Sequence, residues 1–398
     1  MRIFLLLVLC LIISSCSTKK KQPEMSFSVI SMENISFKSK LIFSEFVEHI
    51  EVIPLETTSE SLIGEIKRII HRNGRYYMLV TNGYSNARVL VFDDLGKFLL
   101  KIDKVGQGRG EYLDMADFAL TSNAEIKIAA YKKIVTYDSI GNYVRENPIN
   151  NYAREIHLMS NDKYIMSHFD LQAHHNKALC LIDAKDDVLT EFFKLPSNEM
   201  GKLESFLRLN TFVSSGKNLY FNYPLCDTIF SIKGRDVLPA YYVDFGTKKI
   251  DYSLVEAKDD ALGILNKISS KEYLEILGFQ ICSDFLCLEI GNNENDAFLA
   301  FCFKDNRMVG GHYVVDDMFF KNNYISLKYK YMPRNMDGDY LLWPLPAFFL
   351  LNGYKQYKAH LSSDEWKLFC EKNRKLVEIC ESLSEEDNPV LLRIKVNK

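Results

Sequence analysis

Val91-Phe92-Asp93-Asp94-Leu95-Gly96-Lys97 recurs as Thr136-Tyr137-Asp138-Ser139-Ile140-Gly141-Asn142, and more loosely as Leu181-Ile182-Asp183-Ala184-Lys185-Asp186-Asp187. Asp93, Asp138 and Asp183 stand 45 residues apart. An aromatic or aliphatic strand end, then Asp, then a Gly or Asp turn before another strand is a hairpin signature. Repetition at about 40 to 50 residues predicts propeller blades.

Outward from these anchors, each unit shows the same order of short alternating runs. Ile66 to Ile70, Tyr76 to Val80, Val89 to Phe92 and Phe98 to Ile102 form a first blade. Ala116 to Leu120, Glu125 to Ala130, Ile134 to Tyr137 and Tyr143 to Arg145 form a second, and a third runs from Glu155 to Leu195. Phe206 to Phe212, Asn218 to Tyr223, Thr228 to Ile232 and Ala240 to Asp244 carry the fourth. Phe279 to Cys282, Phe285 to Ile290 and Phe298 to Phe303 begin a fifth. A sixth takes His312 to Phe320, Tyr324 to Tyr329 and one strand from each end of the chain, Phe46 to Pro54 and Val390 to Val396. Pairing the two ends in one blade closes the ring and removes exposed sheet edges; a solenoid would need polar caps that the sequence lacks. The expected fold is an all-β, six-bladed β-propeller closed by N- and C-terminal strands, with small helical insertions.

The insertions are marked by two capping-box patterns, Ser269-Ser270-Lys271-Glu272 and Ser362-Ser363-Asp364-Glu365. After the second, Trp366, Phe369, Cys370, Val377, Cys380 and Leu383 share one helical face, read as packing against the propeller. Asn388-Pro389 ends that helix before the closing strand.

Composition agrees with many short strands. The 398 residues are 47% hydrophobic and 25% charged, with 26 Phe and 22 Tyr, a bias that suits pleated surfaces and excludes a helical bundle or a disordered chain. A net charge of -3 removes the electrostatic case for a nucleic-acid partner.

The first residues carry an address. Arg2 precedes an apolar run from Ile3 to Ile13, too short to span a bilayer at the roughly 20 residues required, so residues 1–15 read as a signal peptide. Ile13-Ser14-Ser15-Cys16 resembles a bacterial lipobox, making Cys16 the expected lipid-attachment site and the membrane a partner through that anchor. Residues 16–40 read as a lipidated flexible tether and 41–398 as the propeller. Thr18, where a sorting Asp would retain the protein at the inner membrane, and the basic run Lys19-Lys20-Lys21 point to the outer membrane, facing the periplasm.

The lipobox, the repeat and Lys104-Val105-Gly106-Gln107-Gly108-Arg109-Gly110-Glu111-Tyr112 together resemble the six-bladed, TolB-like propeller lipoproteins of Bacteroides-type bacteria, which carry Gly-x-Gly-Pro-Gly-Glu-Tyr at this point. Ile53-Pro54-Leu55-Glu56-Thr57, Cys226-Asp227-Thr228-Ile229-Phe230 and Asp244-Phe245-Gly246 extend the resemblance over nearly the whole mature chain. Arg109 stands where the family has proline. The resemblance implies capture of a small molecule, glycan or protein at the cell envelope, with activity undefined.

Candidate sites are few. The glycine loop lacks the spacing and following helix of a phosphate loop and reads as a tight inter-blade crossing; if it binds a ligand, Arg109, Glu111 and Tyr112 are the residues, with Arg109 suited to a small anion. His168, Asp170, His174 and His175 form the densest set of metal-ligand types, more simply read as solvated loop residues. Cys287 and Cys302 could face each other across a hairpin or remain buried thiols. Trp343-Pro344-Leu345-Pro346 with Phe348 and Phe349 could stack on a sugar or form a core-facing linker. No catalytic motif is present and no cofactor is called for, although a metal-dependent propeller hydrolase or lyase and a structural scaffold remain alternatives.

Overall fold

The computed structural model describes residues 28–36, 39–82, 87–149, 153–159, 162–168, 175, 177–194, 202, 212–223, 225–294, 296–320, 323–326 and 332–397. Six antiparallel sheets of four strands follow one another around a ring. Blade 1 is Glu65–Arg72, Arg75–Thr81, Arg88–Asp93 and Phe98–Ile102. Blade 2 is Met115–Leu120, Ile126–Ala130, Lys133–Tyr137 and Tyr143–Pro148. Blade 3 is Ala153–Leu158, Tyr164–His168, Lys177–Ile182 and Val188–Lys194. Blade 4 is Phe212–Ser215, Asn218–Asn222, Thr228–Lys233 and Asp236–Asp244; residues 206–211, expected to begin it, lie outside the described residues. Blade 5 is Leu274–Ile281, Phe285–Asn292, Ala297–Phe303 and Met308–Gly311.

The repeated aspartate makes the turn between the third and fourth strands. Asp93 Oδ1 accepts from the amides of Leu95 (2.9 Å) and Lys97 (2.8 Å), Asp138 from Ile140 (3.0 Å) and Asn142 (2.8 Å), and Asp183 from Lys185 (2.8 Å) and Asp187 (3.0 Å). The fourth turn residue is left-handed each time: Gly96 at φ 82°, Gly141 at 88° and Asp186 at 72°. Asp186 replaces the glycine of the other two turns. Its buried carboxylate takes an ion pair from Lys127 and a 2.7 Å hydrogen bond from Asn147, both of blade 2. The departure from glycine thus ties two blades together.

Blade 6 differs from expectation. It runs Asn335–Asp337, Tyr340–Leu345, then the C-terminal Val390–Val396, with the N-terminal Val47–Pro54 outermost. The two chain ends do close the ring, Leu391 opposite Ile53 and Ile394 opposite Ile50. However, Tyr313–Asp316 pairs with Lys40–Ile42 on one side and Asn323–Ser326 on the other in a separate three-stranded sheet, not in this blade. The inner hairpin instead turns at Gly338-Asp339, and Pro344 is tolerated because the inner strand's pairing stops at Leu342, leaving that position at an edge.

The 16–40 stretch, expected to be a tether, contains two of these strands. Ser28–Ser31 lies parallel to Asp236–Asp244 as a fifth strand of blade 4, and Lys40 begins the small sheet.

The first helical insertion also shifts. The helix is Ala261–Ile268, capped by Asp260 Oδ1 accepting from Gly263 N, and Ser269 ends it, because Leu274-Glu275-Ile276 already pairs with the next strand. The Ser362 capping box forms as expected. Asn373 breaks the following segment into Ser363–Lys372 and Arg374–Ser382, preceded by an unforeseen helix, Ala347–His360. All three are inserted within blade 6. Val377 and Cys380 are buried in the largest core cluster, which also holds Trp343, and Trp366, Phe369, Cys370 and Leu383 pack against it. With Trp343 1% exposed, a stacking role for it on a sugar is excluded.

Candidate functional site: an axial funnel

The inner strands of the blades run side by side around the axis, and their pairing repeats an irregularity. A bulge falls between Ile66 and Arg68, Met115 and Asp117, Ala153 and Glu155, and Ile276 and Gly278. A bulge bends its strand and re-aims side chains. Two residues beyond these points stand Ile70, Ala119, His157 and Gln280, and all four line one cavity of about 830 Å³. Residues of all six blades contribute to it, at the end where the inner strands finish.

Its mouth is basic. Arg72 donates to the carbonyls of Thr121 (2.8 Å) and Leu120 (3.4 Å) and has no carboxylate partner among the described residues. Lys217, in the first hairpin turn of blade 4 at Gly216-Lys217, and Lys233, the strand residue before its third at Gly234-Arg235, stand exposed at the rim. Arg334 adds a buried guanidinium. None of the described lining residues is Asp or Glu.

Below the rim, Arg68 ties three blades. Its Nη1 donates to Asp117 Oδ2 (2.6 Å), Phe118 O (3.0 Å) and Ile156 O (3.1 Å), while Asp117 Oδ2 accepts from Ile156 N (2.9 Å). Burial pushes the Asp117 carboxyl up and Arg68 opposes it. Arg68 Nη2 lies 3.1 Å from His157 Nδ1. A guanidinium can only donate, so Nδ1 accepts and the ring proton sits on Nε2. Burial, reinforced by the Arg68 charge, pulls His157 well below the ordinary imidazole range, keeping it neutral. Gln280 is 4% exposed and its buried Oε1 has no partner among the described residues.

His71, also on the wall, bridges blades 1 and 6: Nδ1 is 2.9 Å from Asp337 Oδ1 and Nε2 2.7 Å from Asp94 Oδ1. Asp337 also receives Arg393 Nε at 2.9 Å. The hydrogen bond to Asp337 raises the His71 pKa against partial burial, with Asp94 adding to it. A raised folded-state pKa stabilises fully below the unfolded value of about 6.5, and that contribution is lost as pH rises through the folded value. The melting-temperature advantage of wild type over His71→Gln is therefore expected to shrink between about pH 6 and 9. A difference constant over that range would show that no imidazolium is held there.

The residues singled out from sequence lie elsewhere. In the glycine crossing, Glu111 Oε2 accepts from Gly108 N (2.8 Å), and Tyr112, fully buried, donates to Ile102 O (3.3 Å). Tyr112 N donates to Lys104 O (2.9 Å) and Gly106 N to Tyr112 O (3.0 Å). Gly110 has φ 74°, and a Cβ there would sit 2.5 Å from the Tyr143 ring. Arg109 lies over that ring at 5.1 Å. The loop therefore satisfies itself, and of the three residues only Arg109 is directed outward. His168 is buried in blade 3 with Nε2 3.7 Å from Glu191, and His175 is exposed. Asp170, His174 and Cys16 lie outside the described residues. Among the described residues, no group of three or more His, Cys, Asp or Glu could hold a metal. All seven cysteines beyond Cys16 are free. Cys302 stands opposite Leu286, the neighbour of Cys287, so the two thiols leave the sheet on opposite faces.

A β-propeller with a basic axial funnel is the class that this geometry defines. The chain belongs to the DUF4934 family, a domain of unknown function, whose model matches residues 27–395. Among solved structures it is similar to a Bacteroides fragilis protein described as a candidate exported protein, at TM-score 0.68 and 15% identity, covering 94% of this chain and 100% of that one. BamB of Moraxella catarrhalis (TM-score 0.38, 9% identity, 74% and 85% covered) and the Pan2 WD40 domain of Neurospora crassa (0.37, 9%, 70% and 71%) are more distant. No curated protein matches. No described helix is long and apolar enough to cross a membrane.

Proposed function

We propose that this protein is an envelope binding protein, anchored through lipid on Cys16 at the outer membrane and facing the periplasm, whose TolB-like propeller captures a small anionic ligand in the axial funnel. The observation that carries the binding reading is the placement of Arg72, Lys217 and Lys233 around one cavity without a carboxylate among its described lining residues. Like charges gathered without counter-ions repel one another, and a bound anion relieves that cost while gaining charge-assisted hydrogen bonds. The anchor rests on Ile13-Ser14-Ser15-Cys16, and an exported structural neighbour agrees with that address.

Titration of the full mature chain with citrate at constant ionic strength tests the reading by thermal shift, since a ligand of the native state raises apparent stability. A saturable rise is expected, and the double variant Lys217→Ala/Lys233→Ala should weaken binding about tenfold, or about 1.4 kcal/mol. Both side chains are exposed, Lys217 in a turn and Lys233 at a strand end, so folding is unaffected. A rise matched by sodium chloride alone, or unchanged in the double variant, would count against the funnel.

A further inference from the structure

The funnel has a second chemical layer beneath its cationic mouth. His157 and Gln280 occupy equivalent places on the inner strands of blades 3 and 5, two residues past the bulge, and both are more than nine-tenths buried. His157 presents Nε2–H, because Arg68 occupies Nδ1. Gln280 presents an amide whose oxygen has no hydrogen-bond partner. Phe212, its ring 4.8 Å from that of His157, gives this layer an apolar wall.

These groups ask more of a ligand than negative charge. The Gln280 oxygen is closed to solvent and unpaired among the described residues although its residue lines the cavity, so a ligand group that donates to it as the amide turns inward satisfies an acceptor that water does not reach. Sulfate and simple carboxylates have no donor to give. A hydroxyl has both functions: it donates to Gln280 Oε1 and accepts from His157 Nε2–H or the Gln280 amide hydrogens. Resting on the anion-binding reading above, we infer that the ligand is a polyhydroxylated carboxylate. Its charge sits at Arg72, Lys217 and Lys233, and its hydroxyl groups are read by His157 and Gln280.

Calorimetry on the full mature chain with three probes separates the two layers. Glucuronate carries charge and hydroxyls, cyclohexanecarboxylate carries the same charge on a bare ring, and glucose carries hydroxyls without charge. Glucuronate is expected to bind at least about tenfold more tightly than either of the others. Gln280→Leu, which removes a buried orphan acceptor and so does not threaten folding, should abolish the preference over cyclohexanecarboxylate, weakening glucuronate and tightening the bare-ring probe, which no longer leaves that oxygen unpaired. Lys217→Ala/Lys233→Ala should weaken both carboxylates alike. Equal affinity of the two carboxylates for wild type, a comparison needing no variant, would overturn the hydroxyl layer and leave anion binding standing. Retention of the preference in Gln280→Leu would overturn the role of Gln280. Absence of binding by every carboxylate would overturn the funnel reading and this one with it.

Discussion

Asp186→Ala is expected to cost about 3–5 kcal/mol of folding stability, because it leaves the Lys127 ammonium buried without a counter-charge. The side chains of Lys127 and Asp186 are 1% and 0% exposed, and beyond the ion pair Lys127 meets the Ala184 carbonyl at 3.2 Å and the Tyr164 ring face at 4.7 Å, with the Glu125 carboxylate acting more weakly on its charge. Burial already pulls the Lys127 pKa below the ordinary ammonium range, with Asp186 opposing that shift. Asn147 loses one of its two acceptors and keeps the Lys185 carbonyl at 2.9 Å. The paired replacement Lys127→Met/Asp186→Gly should recover most of the loss, since Gly96 and Gly141 make the same turn in blades 1 and 2 with no ion pair. Urea unfolding of the three proteins measures this. An Asp186→Ala protein within about 1 kcal/mol of wild type would show that the pair is not isolated from water as the geometry requires.

The second large effect lies at the ring's closure. Asn388, 2% exposed, sits just before the C-terminal strand and joins it to the segment between blades 6 and 1. Its Nδ2 donates to Glu56 O and Ser61 O, both at 2.8 Å, and its Oδ1 accepts from Ile63 N at 2.8 Å. Asn388→Ala strands the Ser61 carbonyl and the Ile63 amide and leaves the Glu56 carbonyl to the Ser61 hydroxyl at 2.7 Å, so a loss on the order of 3 kcal/mol is expected. Asn388→Asp should cost at least as much, since it keeps the acceptor but sets a carboxylate against both carbonyls. Hydrogen exchange should show the loss of protection concentrated in Val390–Val396 and Val47–Pro54. Uniform loss across all blades would mean that closure does not unfold as a separate unit.

The ring was legible because its turns are local. Asp93, Asp138 and Asp183 announce themselves at fixed spacing, and each binds amides two and four residues ahead. The sixth blade was partly illegible because its hairpin signal, Asp337-Gly338, is followed by Trp343-Pro344, and proline reads as the end of a strand unless the early stop of the neighbouring strand is known. The Ala347–His360 helix lacked a capping signal: Pro346 stands at its N-cap. The funnel was illegible for a different reason. Arg68, His157, Lys217, Gln280 and Arg334 come from five blades and form no motif, and their shared position emerges only when strand register reveals the bulges. The glycine crossing was the opposite case, a conspicuous motif whose polar groups the structure turns mostly onto one another.

The closing blade also imposes an order of events on the polypeptide. Val47–Pro54 leaves a ribosome or a translocation pore long before its hydrogen-bonding partner, Val390–Val396, follows. Until then five blades can assemble from neighbouring residues while the sixth waits with a raw edge, the slowest kind of contact to make and the most open to wrong partners. A chain cut just before Val390 would therefore carry the hairpins of blades 1 to 5 and still lack a finished ring.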